Sequence, residues 1–387
     1  MSFEVMVANK AAATAVKLAR VNVCSAFPVT PQTTITEYLA QMYANGEIEG
    51  EFVNAEGELS TQVIVQAASR AGARSFVCTS GPGQLYMHHP MHSTASSRLP
   101  VVMCTVHRGN KSMQPDHTDL LSQEHTGWIQ LYAENNQEVL DTVLMAYKIG
   151  EDERVRLPVA VGYDGYVLSY TAEPVEIPDQ AIVDDWLPPY KTQSILPKDY
   201  DPSSSGRRRR GGVYDPQQGW INQHEAILGA EKVIKEVNAD YGKVFGRSYG
   251  NGMVEEYKTD GVEAVIVCMG SMAGTARAAI DKLQANGTKV GLIKLKGYMP
   301  FAVDDFKDIA SRVDCIGMVD RNILMGHGGC GYRMIQNSLY NEDERTPVLQ
   351  FHAGLAGKEV RIDDLVRVGE KTLKKAHGES VSQVEWV

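Results

Sequence analysis

No two of the six cysteines (Cys24, Cys78, Cys104, Cys268, Cys315 and Cys330) lie within four residues of each other. Without a CxxC pair, the chain carries no ready ligand set for an iron–sulfur cluster or a structural zinc of its own. Four of them (Cys24, Cys78, Cys104, Cys268) sit in apolar, strand-like runs, where a reduced cysteine packs as a small core residue. No stretch approaches the roughly 18 consecutive apolar residues of a membrane span. The opening Met-Ser-Phe-Glu-Val has neither the basic start nor the apolar core of a secretion signal, so a cytoplasmic location is expected. Basic charge is also scarce: a formal net charge of -10 argues against a nucleic-acid partner. The small-residue turn Gly270-Ser-Met-Ala-Gly274 lacks the GxGxxG spacing and points to no dinucleotide site.

What remains is an ordinary soluble composition, 43% hydrophobic and 22% charged over 387 residues, long enough for two domains. Apolar runs alternate with helix-period stretches. Strands are expected at Asn22–Phe27, Phe52–Val53, Ser75–Cys78, Pro100–Val106 and Leu157–Tyr163. Helices are expected at Lys10–Val21, Thr33–Ala44, Leu59–Ala71 and Glu138–Ile149, the third reading as buried. This alternation predicts an α/β fold, a parallel sheet with helices on both faces. Trp186 to Gln218, with its prolines, Ser203-Ser-Ser205 and the run Arg207 to Arg210, reads as a linker excursion. The arginine run is either a solvated loop, a subunit contact or a phosphate binder. A long helix at His224–Tyr241 follows, then a second, smaller alternating unit from Val262 onward. The expected division is 1–252 and 253–387.

Four polar or glycine-rich segments follow successive first-unit strands: Phe27-Pro-Val-Thr-Pro-Gln32, Glu56-Gly-Glu58, Thr79-Ser-Gly-Pro-Gly83 and His107-Arg108. Ligands of open α/β sheets bind at the C-terminal strand edge, so four such segments predict a site there. Arg108 offers a planar fork for a carboxylate, or else makes a surface ion pair. Thr30 offers a hydroxyl, and Gly81 and Gly83 permit close backbone approach. Glu56 and Glu58 stand at a strand-to-helix junction. Either they are carboxylates favoured by a helix N-terminus, or one is a poorly solvated glutamate able to hold a proton.

Phe27-Pro-Val-Thr-Pro31 resembles the Tyr-Pro-Ile-Thr-Pro motif of the α subunit of 2-oxoacid:ferredoxin oxidoreductases, the pyruvate:ferredoxin oxidoreductase family. The likeness extends through Glu56-Gly-Glu58, Thr79-Ser80-Gly81, Asp116-His-Thr-Asp119, Thr126-Gly-Trp-Ile-Gln130, Ala133-Glu-Asn-Asn-Gln-Glu138 and Tyr163-Asp-Gly165. In the second unit it takes in Met269-Gly-Ser-Met272, Asp320-Arg-Asn322 and Ala353-Gly-Leu355. The resemblance implies a thiamine-diphosphate pyrimidine-type domain followed by a transketolase C-terminal-like domain. It implies that Glu58 bonds the cofactor's pyrimidine ring, that Pro28, Thr79, Ser80 and Gly81 line the cofactor, and that Thr30 and Arg108 face the substrate's carboxylate and oxo group. It also implies partners: a β subunit holding the diphosphate and Mg²⁺, and γ and ferredoxin-like δ subunits bearing iron–sulfur clusters, with coenzyme A as cosubstrate. In keeping with that division, neither Asp-Gly pair, Asp164-Gly165 or Asp260-Gly261, follows a glycine, so the diphosphate motif is absent.

The substrate stays open. Phe27, Gln32-Thr33 and Gly297-Tyr-Met-Pro-Phe301 depart from the family pattern, and the loop Gly109 to Pro115 is shorter than expected of pyruvate enzymes. Pyruvate, an aryl 2-oxo acid such as phenylglyoxylate, and oxalate without coenzyme A all fit. So do a non-catalytic subunit of the same fold and a transketolase-like carboligase half.

Overall fold

The computed structural model describes residues 2–190, 216–343 and 345–387; the run Arg207–Arg210 and most of the 186–218 excursion lie outside these described residues. The first unit runs β1 (Ser2–Met6), α1 (Ala8–Leu18), β2 (Val23–Ala26), α2 (Thr33–Ala44), β3 (Glu51–Asn54), α3 (Glu58–Ala71), β4 (Ser75–Thr79), α4 (Pro82–Tyr86), α5 (His88–Ser96) and β5 (Val102–His107). It continues with α6 (Thr118–Leu121), β6 (Ile129–Tyr132), α7 (Asn136–Glu151), β7 (Val159–Asp164), α8 (Val167–Tyr170), β8 (Glu173–Ile177), α9 (Gln180–Trp186) and the long α10 (Pro216–Phe245). The second unit holds β9 (Val254–Tyr257), β10 (Ala264–Cys268), α11 (Met272–Ala285), β11 (Val290–Leu295), β12 (Gly297–Met299), α12 (Val303–Arg312), β13 (Cys315–Asp320), α13 (Cys330–Leu339), β14 (Val348–His352), α14 (Ile362–Ala376) and β15 (Val384–Trp386).

A seven-stranded sheet has the order β12-β6-β7-β5-β4-β2-β3, and a six-stranded sheet the order β15-β14-β13-β10-β11-β9. All pairings in the first sheet are parallel except that of β12 with β6. The expected α/β architecture with helices on both faces is observed. Every residue of the central strands β5 and β7 is buried, as continuous apolar runs demand when helices cover both faces. All six cysteines are reduced and buried.

Four features were not legible locally. Ser2–Met6 is a strand paired antiparallel with β8 in a separate ribbon. Ile129–Tyr132 is a buried strand of the first sheet. The short β12 leaves the second unit to pair with β6. The helix α3, expected to be buried, covers the sheet with only part of its surface. Thr61, Gln62, Val65 and Ser69 are buried, while Leu59 and Val63 remain 37% and 44% exposed. The expectation failed because apolar content alone does not say which neighbour covers a helix face.

Between the units lies a buried ion cluster. Lys294 and Lys296, both 2% exposed on or just after β11, reach Glu138 of α7 at 2.8 and 2.7 Å. Burial would raise the Glu138 carboxyl, but the two ammonium groups outweigh it and hold it at about 2. Lys296, whose charge burial disfavours more than Glu138 restores, is pushed below the usual lysine range. The cluster is a charged bolt between α7 and the second sheet.

One glycine-rich segment, Gly326-His-Gly-Gly-Cys-Gly331, does have the GxGxxG spacing, between β13 and α13. It is not a phosphate cradle. The Asp320 carboxyl group already accepts the Gly331 and Tyr332 N–H groups at 3.0 Å each, so a side chain of the protein occupies the helix N-terminus.

Candidate active site

The strands β5, β4, β2 and β3 are consecutive neighbours and mutually parallel. The four segments that follow them therefore lie along one sheet edge, as the sequence predicts. Two small constellations form there, joined by the loop Thr79–Gly83.

The first holds Glu58. Gly57 is the N-cap of α3, in extended backbone, and Glu58 opens the helix. A methyl group added at Gly83 would stand 2.5 Å from Glu58 Oε1 and 2.6 Å from Thr79 Oγ1, so these three residues are in contact and the glycine makes room for the carboxylate. Glu58 is half-buried, less desolvated than an apolar shell around it would make it. Glu56 is exposed and accepts a hydrogen bond from Ser60; that bond lowers its carboxyl. The two glutamates thus separate by environment: one points at the loop, the other at water.

The second holds Arg108. Gly81 has φ 52° and ψ −125°, a conformation open to glycine. The Arg108 side chain packs over it: a methyl at Gly81 would lie 3.1 Å from Nε and 3.2 Å from Cγ. Arg108 Nη1 donates to the Thr30 carbonyl at 2.7 Å, and Nε has no hydrogen-bond partner among the described residues. It is therefore the carbonyl of Thr30, not its hydroxyl, that meets the guanidinium. Pro28 lies exposed at the start of the same loop.

Thr79 Oγ1 and Ser80 Oγ are buried hydroxyls with no partner among the described residues. A buried unpaired polar atom is costly, so these two adjacent hydroxyls are open to a further hydrogen-bond partner. No group of three or more His, Cys, Asp or Glu side chains among the described residues is arranged for a metal ion.

Behind this edge lies a polar layer that sequence reasoning quoted as motifs but gave no role. His107 at the end of β5 lies 2.6 Å from Asp119, and His117 lies 2.8 Å from Asp164; all four side chains are buried. Asp164 also binds Arg321 at 2.9 Å and the Ser271 N–H at 2.9 Å, which ties the first unit to the second. Burial would raise the Asp164 carboxyl, but Arg321 and His117 outweigh it and hold it well below the usual carboxylate range. The loop between β5 and α6 thus runs between two buried histidines. Three of the quoted motifs, Asp116 to Asp119, Tyr163 to Gly165 and Asp320 to Asn322, meet here; their joint presence was the one available signal.

The sheet carries Glu58 at the junction after β3 and, three strands away at the same edge, Arg108 after β5, the arrangement expected of the pyrimidine type of thiamine-diphosphate domain. The comparisons with known proteins agree. Residues 14–239 match the family described as pyruvate flavodoxin/ferredoxin oxidoreductase, thiamine diphosphate-binding, and residues 262–365 match pyruvate:ferredoxin oxidoreductase core domain II. Pyruvate synthase subunit PorA of Pyrococcus horikoshii is 41% identical, over 99% of this chain and 97% of the relative. Ketoisovalerate oxidoreductase subunit VorA of Pyrococcus abyssi is 38% identical over 99% and 97%. The α subunit of NADH-dependent phenylglyoxylate dehydrogenase from Aromatoleum evansii is 37% identical over 94% and 89%. The fold matches that of 2-oxoglutarate:ferredoxin oxidoreductase from Magnetococcus marinus with a TM-score of 0.73 at 20% identity, over 95% of this chain and 65% of that longer one. The chain belongs to the pyruvate:ferredoxin oxidoreductase family.

Proposed function

We propose that this chain is the pyrimidine-side subunit of a cytoplasmic, thiamine-diphosphate-dependent 2-oxoacid oxidoreductase, which converts a 2-oxo acid and coenzyme A to acyl-CoA and CO₂ with release of electrons to an acceptor. The observation that carries this reading is that Glu58 against Gly83 and Arg108 against Gly81 share the Thr79–Gly83 loop, in a chain matched by the family's cofactor-binding model.

The residues present fit the ring end of that cofactor. Two hydroxyls without a partner among the described residues, Thr79 Oγ1 and Ser80 Oγ, and the Glu58 carboxylate seated against Gly83 suit a flat polar heterocycle. Bound there, the cofactor supplies the carbon nucleophile and electron sink that loss of CO₂ from a 2-oxo acid requires. Glu58 would hydrogen-bond the ring through its carboxyl group. Thr79, Ser80 and Gly81 orient the ring, with Pro28 at the rim. Arg108 binds the substrate's carboxylate through the arm not engaged by Thr30, and Thr30 presents its hydroxyl beside the oxo group. Arg108 must hold the carboxylate without stabilising it so far that its loss is slowed.

The diphosphate and Mg²⁺ are assigned to a β subunit, and the electron-carrying clusters to γ and ferredoxin-like δ subunits. Three features support partners. The diphosphate motif is missing from this sequence. The relatives are named as subunits. Leu59, Val63, Leu85 and Tyr86 stay exposed on α3 and α4, which pack together at the Glu58 edge. Exposed apolar groups beside a half-built site suit a covering chain.

The reading favours a substrate with one carboxylate, for which a single arginine suffices; pyruvate and phenylglyoxylate both qualify. The test is an assay of the purified complex, supplied with thiamine diphosphate, Mg²⁺ and coenzyme A, against pyruvate, phenylglyoxylate, a branched 2-oxo acid and oxalate. Coenzyme A-dependent CO₂ release coupled to acceptor reduction is expected for at least one monocarboxylate. No turnover with any of them would refute the proposal.

A further inference from the structure

Asp119 is 1% exposed, and its carboxylate is shared among four donors. Oδ1 accepts the N–H of Leu120 at 2.8 Å and lies 2.6 Å from His107 Nδ1. Oδ2 accepts the N–H of Gly81 at 3.1 Å and the N–H of Arg108 at 3.2 Å. Gly81 belongs to the loop after β4, and Arg108 to the segment after β5. One buried carboxylate therefore gathers the backbones of two neighbouring site loops, 38 and 11 residues away in sequence.

The two backbone groups matter for the same side chain. Arg108 sets out from the residue whose N–H Asp119 holds, then packs across the glycine whose N–H the same oxygen holds, before donating to Thr30. A carboxylate accepting several N–H bonds is a strong, directional anchor, because charge-assisted bonds are about twice as strong as neutral ones. Its own orientation is set by His107. That ring stacks on Tyr132 with centroids 5.2 Å apart and planes 11° apart, so it cannot swing away from Asp119. With Nδ1 bound to the carboxylate, Nε2 is left without a partner among the described residues, packed on Gly162.

We infer that Asp119, oriented by His107, is a positioning residue for substrate binding: it fixes the backbone platform from which Arg108 reaches the 2-oxo acid's carboxylate. The inference rests on the reading of Arg108 given above. It differs from a purely structural role, in which Asp119 would stabilise the fold without regard to Arg108.

A double-mutant cycle in the assembled complex separates these readings. Asp119→Asn should raise KM for the 2-oxo acid about tenfold and lower kcat much less, as expected when a binding group is misplaced. In an Arg108→Ala background the same substitution should move KM by no more than about twofold, since the arm it positions is gone. A full second tenfold loss there, or no effect of Asp119→Asn alone, would overturn the inference. Arg108→Ala without any change in KM would instead overturn the reading of Arg108 itself. If Asp119→Asn fails to assemble, His107→Asn, which can still donate to Asp119, should keep KM near normal, whereas His107→Phe should raise it; equal KM values would count against the positioning role. In the full-length chain by itself, hydrogen–deuterium exchange of the segments spanning Gly81 and Arg108 should accelerate in His107→Phe, and unchanged exchange would speak against it.

Discussion

Arg108 Nη1 donates to the main-chain carbonyl of Thr30 at 2.7 Å, so one arm of the guanidinium is engaged by the protein before any substrate arrives. The arginine is aimed rather than free. Charge-assisted bonds to a carboxylate are each worth roughly 1.5–3 kcal/mol. Arg108→Ala should therefore lower kcat/KM in the complex by about one to two decades. Lysine should restore only part, because it keeps the charge and loses the fork. Thr30→Val keeps the carbonyl, so any loss it causes reports the hydroxyl alone. Steady-state kinetics on the three variants checks this, and an unchanged kcat/KM for Arg108→Ala with every 2-oxo acid would place the carboxylate elsewhere.

Glu58 and Glu56 differ in what surrounds them. Glu58→Gln should cost about 10² to 10⁴ in turnover, the usual range for a proton-handling group. Glu56→Gln should cost little, since its side chain is solvated and bonded to Ser60. Gly83→Ala should resemble Glu58→Gln in direction, because the added methyl would meet Glu58 Oε1 at 2.5 Å and the buried Thr79 Oγ1 at 2.6 Å. Equal losses in the two glutamine variants would mean that the wrong carboxylate has been chosen.

Without the diphosphate motif, the chain on its own should hold thiamine diphosphate weakly. Titration calorimetry on the isolated subunit with Mg²⁺ present should show no saturable binding at micromolar cofactor, and binding should appear when the partner chain is added. Micromolar affinity of the lone chain would contradict the division of labour between subunits.

The Glu138–Lys294–Lys296 cluster makes a stability prediction. Glu138 is held at about 2 in the folded chain, below the roughly 4.3 of a free glutamate. A carboxyl depressed by folding contributes stability above its unfolded pKa and loses it as pH falls toward the folded one. Glu138→Gln leaves two buried ammonium groups short of an anion and should cost about 3–5 kcal/mol near neutral pH. The difference between wild type and variant should shrink as pH is lowered from about 5 toward 2. Denaturant titrations of both chains across that range check the sign and the window; a difference independent of pH would show that Glu138 is not charged in the fold.

The sequence by itself determined the main alternation of strands and helices and which segments end up along the C-terminal strand edge. These are local matters. Apolar strands bounded by Thr, Pro and Gly, and helices of period 3.6, carry their own signals, and a parallel α/β topology then aligns the C-terminal strand ends without further instruction. That Thr30, Glu58, Thr79 to Gly81 and Arg108 would lie along one sheet edge was legible for that reason.

Only the tertiary structure decided how those residues meet. That Arg108 would find the carbonyl of Thr30, that Gly83 would shelter Glu58, and that Asp119 would hold both Gly81 and Arg108 depend on pairs up to 78 residues apart, which no local pattern encodes. The exposure of Leu59 and Val63 was equally hidden, because a leucine reads the same whether its own chain or another one covers it. The bolt of Lys294 and Lys296 on Glu138 spans more than 150 residues. Burying those charges is tolerable only because the fold delivers their counter-ion to the same dry spot, a condition set by three-dimensional proximity and by nothing in the neighbouring sequence.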